Sequence, residues 1–260
     1  MYFFTWESRV ELLRKAIPKE CNLISVPEEL RPYGIAGKRQ FILEWAYKNN
    51  HNSVWQLDNQ MVFCQNVGLH PTLQKGQQLL RFKSTEEMLP YIKNFKNKLD
   101  NYPMVGMLNR SGTYQTRISS EDVKIDIENT RIYASFIIDV NYFMENNIRF
   151  DLLSQKFNDP KLSLMEDYSV ELQILSKGDK ILQVGDWCFD KQSFSSGGCS
   201  SQRTIDTQKA TIEALIKIFP QYCKLVEAKD ETKKESVKYN IRISWSKFKE
   251  KKLASTLDEW

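Results

Sequence analysis

Val54-Trp55-Gln56-Leu57-Asp58 ends the stretch that decides the fold. Its β-branched and aromatic residues read as a strand, and the polar trio Asp58-Asn59-Gln60 stops it. Working back toward the N-terminus, Lys38 to about Lys48 has Phe41, Ile42, Trp45 and Ala46 at helical spacing, so a helix entered through Gly37 is expected to turn these four inward. Before it, Pro27-Glu28-Glu29-Leu30-Arg31-Pro32-Tyr33-Gly34 reads as a loop by its prolines and glycine, and Asn22 to Val26 as a strand. Glu7 to Ala16 places Val10, Leu12, Leu13 and Ala16 near helical spacing ahead of Pro18, and Tyr2 to Thr5 is a short aromatic run expected to be a buried strand. Strand, helix, strand, helix, strand in this order is the signature of a layered α/β sheet.

Downstream, Ser84 with Glu87 three residues later forms a capping-box pattern for a helix running toward Leu99. Pro103 to Leu108 reads as a small strand, Asn109 to Asn129 as a polar connection or hairpin, and Arg131 to Asp139 as the clearest strand of the chain. Asn141 to Asn147 is a short helix, and Arg149-Phe150-Asp151 leads into a loop. Asp167 to Lys177 carries Val170, Leu172, Ile174 and Leu175 in a helix closed by Gly178. Ile181 to Phe189 is a strand region, Thr204 to Phe219 a long amphipathic helix stopped by Pro220, and Cys223 to Glu227 and Tyr239 to Trp245 are late strands.

The 260 residues are 41% apolar, enough to bury a sizeable core in one enzyme-sized unit. A formal charge of +4, from 37 basic and 33 acidic residues, is too mild to establish a nucleic-acid partner by its sign. Its distribution says more: Lys229, Lys233, Lys234, Lys238, Arg242, Lys247, Lys249, Lys251 and Lys252 crowd the last quarter, either as a basic face or as a solvated surface with a tail. Cys21, Cys64, Cys188, Cys199 and Cys223 are scattered with no CxxC pair, so neither a zinc site nor a disulfide framework is indicated and a reducing cytoplasm fits best. Met1 to Glu7 lacks a basic region ahead of an apolar one, so no signal peptide is expected. Ile132 to Asp139, the densest apolar run, is strand-sized against the ~20 residues of a membrane span.

Ligands of open α/β sheets gather at the carboxyl ends of strands, where Asp58 is expected. A carboxylate there holds a divalent cation against a diphosphate or hydrogen-bonds a ribose; the competing role is a capping acid in a loop. Glu166 and Asp167 form an acid pair at a helix start, where unpaired N–H groups favour the ionised form. An ionised carboxylate beside an acceptor hydroxyl takes its proton as it attacks, and simple capping is again the rival. Gly197-Gly198 allows successive N–H groups to face a phosphate, with Arg203 supplying a fork of donors to the same anion; the alternative is a plain turn. Arg9 after the first strand and Lys38-Arg39 at the next helix start are cations suited to a nucleotide diphosphate. His51 and His70 are too few for a metal cluster, and Cys199 has no histidine near it in sequence and reads as a packed side chain.

Taken in order, Val26-Pro27-Glu28-Glu29 with Tyr33, Gly34-Ile35-Ala36-Gly37-Lys38-Arg39, Val54-Trp55-Gln56-Leu57-Asp58, Arg149-Phe150-Asp151, Met165-Glu166-Asp167-Tyr168 and Gly197-Gly198-Cys199-Ser200 with Arg203-Thr204 resemble the TET-associated glycosyltransferase family. The resemblance implies a GT-A-like α/β fold, a layered sheet with flanking helices, in one domain over residues 1–260. Residues 1–100 would form the donor nucleotide-binding half, and 101–260 an acceptor half with a basic C-terminal segment.

It further implies a UDP-sugar donor contacted by Arg39, Asp58, Gly197, Gly198 and Arg203, to which Arg9 is added by its place after the first strand, with Asp167 as general base and Glu166 as its acidic neighbour. Asp58 matches the first acid of the family's metal motif, but Asn59 and Gln60 stand where further acids are usual, which leaves Mn2+ or Mg2+ dependence open. For phage members the implied acceptor is the hydroxymethyl group of 5-hydroxymethylcytosine in DNA. Such a base must leave the stack, with Lys247, Lys249, Lys251 and Lys252 gripping flanking phosphates. A protein or small-molecule hydroxyl, or an inactive nucleotide-sugar or DNA-binding module, are the other readings. A cytoplasmic protein without membrane contact is expected.

Overall fold

The computed structural model describes residues 1–58, 61–66, 79–82, 84–109, 126–191, 204–227 and 239–248. In chain order these contain β1 (Tyr2–Trp6), α1 (Val10–Arg14), β2 (Asn22–Val26), α2 (Gly34–Lys48), β3 (Ser53–Leu57), β4 (Met61–Asn66), β5 (Leu79–Arg81), α3 (Thr85–Asn97), β6 (Met104–Asn109), β7 (Ile127–Glu128), β8 (Ser135–Asp139), α4 (Val140–Glu145), α5 (Leu152–Phe157), α6 (Glu166–Ser176), β9 (Leu182–Lys191), α7 (Ile205–Ile218), β10 (Cys223–Glu227) and β11 (Tyr239–Ile243). The chain is mixed α/β, and it divides into two compact units that interleave along the sequence.

The first unit takes Met1–Asn50, Arg149–Ser169 and Ser196–Ile243. Here β1 and β2 pair in parallel, Tyr2 opposite Asn22 and Trp6 opposite Val26, and α2 lays Trp45 against Tyr2 and Phe4 with ring centroids 4.8 and 5.3 Å apart. The β1 strand is less buried than its aromatic run suggests, for only Thr5 is sealed and Tyr2 stays 43% exposed. Leu12 on α1 is likewise open to solvent. A separate antiparallel pair, β10 with β11, buries Cys223, Ile241 and Ile243 on the side where α7 contributes Ile212, Ala214 and Leu215. That helix starts at Thr204 with a reciprocal capping box to Thr207.

The loop expected over Pro27–Gly34 is largely a 3-10 helix, Glu28–Tyr33, running into α2, which begins at Gly34 rather than after Gly37. A side chain at Gly37 would put its Cβ 2.6 Å from that of Tyr33, so the glycine permits the turn to close. The sealed stripe of α2 is Ala36, Arg39, Gln40, Leu43 and Ala46, whereas Phe41, Ile42 and Trp45 remain partly exposed. Two polar residues therefore occupy the middle of the buried face.

The second unit takes His51–Ile148, Val170–Ser195 and Ser244–Trp260. Its mixed sheet runs β3-β8-β6-β9-β4-β5, with β7 also paired to β9; β6 and β9 are parallel and the remaining pairs antiparallel. One face carries Trp55, Val105, Met107, Ile137, Leu182, Val184, Trp187 and Phe189 under Phe95 of α3. Trp55, Phe95 and Trp187 meet at centroid distances of 5.4 to 5.8 Å in tilted and edge contacts, geometries that suit the quadrupoles of the rings. On the opposite face Ile132 lies over Gly106 so closely that an added Cβ would sit 2.1 Å from Ile132 Cγ2. Between Met107 and Leu108 the register against β9 slips, and Gly185-Asp186 falls in the resulting irregularity.

The strand expected from Arg131 starts only at Ser135. Ala134 has φ +63°, and Ser135 N–H donates to Tyr133 O at 2.7 Å, a tight turn that interrupts extended backbone. Leu152–Phe157 is helical where a loop was expected after Asp151, and the sequence pattern gave no sign of β4 and β5. No helix among the described residues is long and apolar enough to cross a membrane.

Candidate active site

Glu166 and Asp167 open α6, and the residue before them, Met165, has φ +58°. A non-glycine residue in the left-handed region costs conformational energy, which the surroundings must offset. Here the buried Leu162-Ser163-Leu164 run approaches the helix, and Ser169 N–H donates back to Met165 O at 3.0 Å.

The two acids have different environments. Glu166 is 9% exposed and its Oε1 accepts from Arg39 Nη1 at 2.8 Å; Arg39 is itself 5% exposed. Asp167 is only partly buried and its Oδ1 accepts from the Tyr168 N–H at 3.0 Å. Arg39 and Glu166, assigned separately by sequence to the donor diphosphate and to the acid pair, are thus brought together. Of the two carboxylates, Asp167 is the one with solvent access.

Helix α2 ties further residues into the same unit. Gln40 accepts the Phe150 N–H at 3.0 Å and donates to Glu44 at 2.9 Å. Arg149 grips Asp151 through Nε and Nη2 at 2.8 and 3.1 Å and stands 3.7 Å from Glu44. Asp151, sealed from solvent, also accepts from Gln155. Arg149, Phe150 and Glu166, far from α2 in sequence, meet it at Glu44, Gln40 and Arg39. Sequence reasoning missed Gln40 and Glu44; the signal was a polar residue at the centre of an otherwise apolar helical stripe.

Arg9 is exposed in the 3-10 turn Glu7–Arg9 that follows β1. At the same carboxyl end Lys38 stands 5.7 Å from the Trp6 ring centroid, and Ser8 N–H donates to Glu28 at 2.9 Å. These hydrogen bonds from Ser8 hold the Glu28 carboxyl below its ordinary pKa.

In the second unit Asp58 follows β3 at its carboxyl end, as expected, and its N–H donates to Ala134 O at 2.8 Å. No group of three or more His, Cys, Asp or Glu side chains able to hold a metal ion occurs among the described residues. Lys247 is exposed in a helical turn beside the buried Phe248. Gly197, Gly198, Arg203, Lys249, Lys251 and Lys252, together with Asn59, Gln60, His70 and Cys199, lie outside the described residues.

A further cationic feature belongs to β10 and β11. Lys224 and Arg242 are directly opposite each other, and both are exposed. Like charges facing across two strands destabilise the pairing. Strand alternation puts both on the side away from Cys223, Ile241 and Ile243.

The sequence profile of the TET-Associated Glycosyltransferase family matches residues 2–198, well over half of the chain. A comparison with curated proteins gave no match.

Proposed function

We propose, for a chain that belongs to the TET-associated glycosyltransferase family and so is an enzyme using a nucleotide-sugar, that the donor is a UDP-sugar and the acceptor is the hydroxymethyl group of 5-hydroxymethylcytosine in DNA. The observation that carries the mechanism is the asymmetry of the acid pair: Glu166 is sealed against Arg39, while Asp167 beside it keeps solvent access. Asp167 accepts the proton of the acceptor hydroxyl as that oxygen bonds to the anomeric carbon. The bond from that carbon to the diphosphate breaks, and UDP leaves with the electron pair. Glu166 and Arg39 act through Asp167, fixing the helix start that presents it.

Asp58, at the carboxyl end of β3, is the donor contact of this reading, and Arg9 and Lys38, at the carboxyl end of β1, are cations suited to an anion. Gly197, Gly198 and Arg203 complete the donor assignment by their match to the family pattern. Asp58 is followed by Asn59 and Gln60, which bring only neutral oxygens, a weaker donor set for Mn2+ or Mg2+ than a run of acids. DNA is favoured as acceptor by Lys224 opposite Arg242, an exposed repulsive pair that a phosphate relieves; Lys247, Lys249, Lys251 and Lys252 extend the basic complement.

The test is UDP release from UDP-sugars in the presence of hydroxymethylated DNA, unmodified DNA or protein. Repeated turnover dependent on hydroxymethylated DNA is expected. Stimulation by protein alone would move the reaction to another acceptor, and the absence of turnover with every acceptor would leave a binding module.

A further inference from the structure

Gln56 is 5% exposed, and among the described residues neither Nε2 nor Oε1 of its carboxamide has a hydrogen-bond partner. Burying both atoms unsatisfied costs stability that an apolar side chain of the same length would not. The local geometry explains why. Gln56 lies directly opposite Phe136 on β8, whose ring offers no hydrogen bond, and β3 is the terminal strand of the sheet path, with no further strand of the described residues on its other side. Its chain neighbours Trp55 and Leu57 alternate to the other face, and Val54 on its own face is apolar. Gln183, in the same cross-strand row, differs in that its Nε2 donates to Arg131 O at 3.0 Å.

On that face the next residue after Gln56 is Asp58. The bond from Asp58 N to Ala134 O continues the β3–β8 ladder by one residue, so the alternation extends to Asp58. Two residues of extended chain set the Cα atoms of Gln56 and Asp58 roughly 7 Å apart. A carboxamide offers a donor and an acceptor side by side, and a carboxylate two acceptors. Neighbouring hydroxyls on a sugar ring, each both donor and acceptor, complement that pair.

We propose that Gln56 is a donor-recognition residue whose carboxamide hydrogen-bonds a sugar-ring diol of the nucleotide-sugar held at Asp58. This rests on the glycosyltransferase reading above. The diol belongs either to the ribose or to the transferred sugar, and two probes separate these sources.

The variant Gln56→Met keeps the length of the side chain and removes its polar atoms. Thermal unfolding of the free protein and calorimetric titration with UDP and with UDP-glucose are compared with the wild type. Gln56→Met is expected to unfold at a higher temperature and to bind UDP-glucose at least about tenfold more weakly, about 1.4 kcal/mol. Weakening confined to UDP-glucose assigns the contact to the transferred sugar, and equal weakening with UDP assigns it to ribose. Wild-type affinity for both probes overturns the proposal and leaves Gln56 a holder of buried water only. If the wild type binds neither probe, the UDP-sugar reading itself fails and this inference falls with it. Should Gln56→Met not fold, Gln56→Asn withdraws the amide by one methylene, and the same titrations decide: weaker binding supports the contact, unchanged binding overturns it.

Discussion

Arg39 and Glu166, separated by 127 residues in sequence, meet at 2.8 Å in a region almost sealed from solvent. Burying such charges is costly, and the geometry returns that cost only while both partners are present. Replacing one alone, Arg39→Met or Glu166→Met, is expected to lower the unfolding free energy by about 3–5 kcal/mol. Arg39→Met with Glu166→Met should recover much of the loss in urea titrations. A double variant as unstable as the sum of the singles would show that the two do not act as a pair.

Asp167→Asn tests the chemistry instead of the scaffold. Turnover is expected to fall about 10²–10⁴-fold, the usual contribution of a general base. Donor affinity by calorimetry and the unfolding midpoint should stay at wild-type values. Unchanged turnover removes Asp167 from the mechanism.

The close approach of Gly106 and Ile132 predicts a compensating pair. A methyl group at position 106 would sit 2.1 Å from Ile132 Cγ2, and the nearest atoms belong to a branched side chain. Gly106→Ala should therefore destabilise by about 1–3 kcal/mol. In an Ile132→Ala background the same change should cost clearly less, which denaturant midpoints of the four proteins will read.

Asp186 sets a pH dependence in the second unit. Burial, with the Asp126 carboxylate next in weight, raises its pKa above the ordinary 3.8, against smaller opposing effects from Asn94 and Lys98. The folded state thus holds this proton more tightly than the unfolded chain. The resulting stability is present below 3.8 and is lost as pH rises through the higher folded value. Asp186→Asn should remove this decline, so its advantage over the wild type in urea midpoints grows as pH rises above 3.8. Parallel pH profiles for the two proteins would contradict the assignment.

Lys224→Glu places opposite charges across β10 and β11. The strand pair is expected to gain about 0.2–1 kcal/mol, while affinity for DNA falls and the logarithmic salt slope shrinks by about 0.9 for each phosphate that the variant no longer neutralises. Unaltered affinity and slope would clear this surface of a role in DNA binding.

The periodicity of apolar residues located most elements, because local patterning governs whether a helix or a strand forms. Asp58 was legible for that reason, since a strand ending in polar residues marks its own carboxyl end. The buried face of α2 was not legible: Phe41, Ile42 and Trp45 pointed to one side, but the sealed stripe runs through Arg39 and Gln40. Burial of those two depends on Glu166 and on the Phe150 N–H, partners that no local window contains. The shortened β8 has a similar origin, for nothing in Arg131 to Ala134 announces a left-handed alanine. The acid pair was visible as a pair, but its division into a sealed and an accessible carboxylate arises from tertiary contacts alone.

The interleaving of the two units has a consequence for how the chain is made. A ribosome adding about 5–20 residues per second delivers Glu166 roughly 6–25 s after Arg39. Throughout that interval α2 lacks both the Glu166 carboxylate that Arg39 meets and the Phe150 N–H that Gln40 accepts. Stalled or truncated products ending before Glu166 should therefore hold α2 less firmly than the full chain does and be cleared faster by proteolysis.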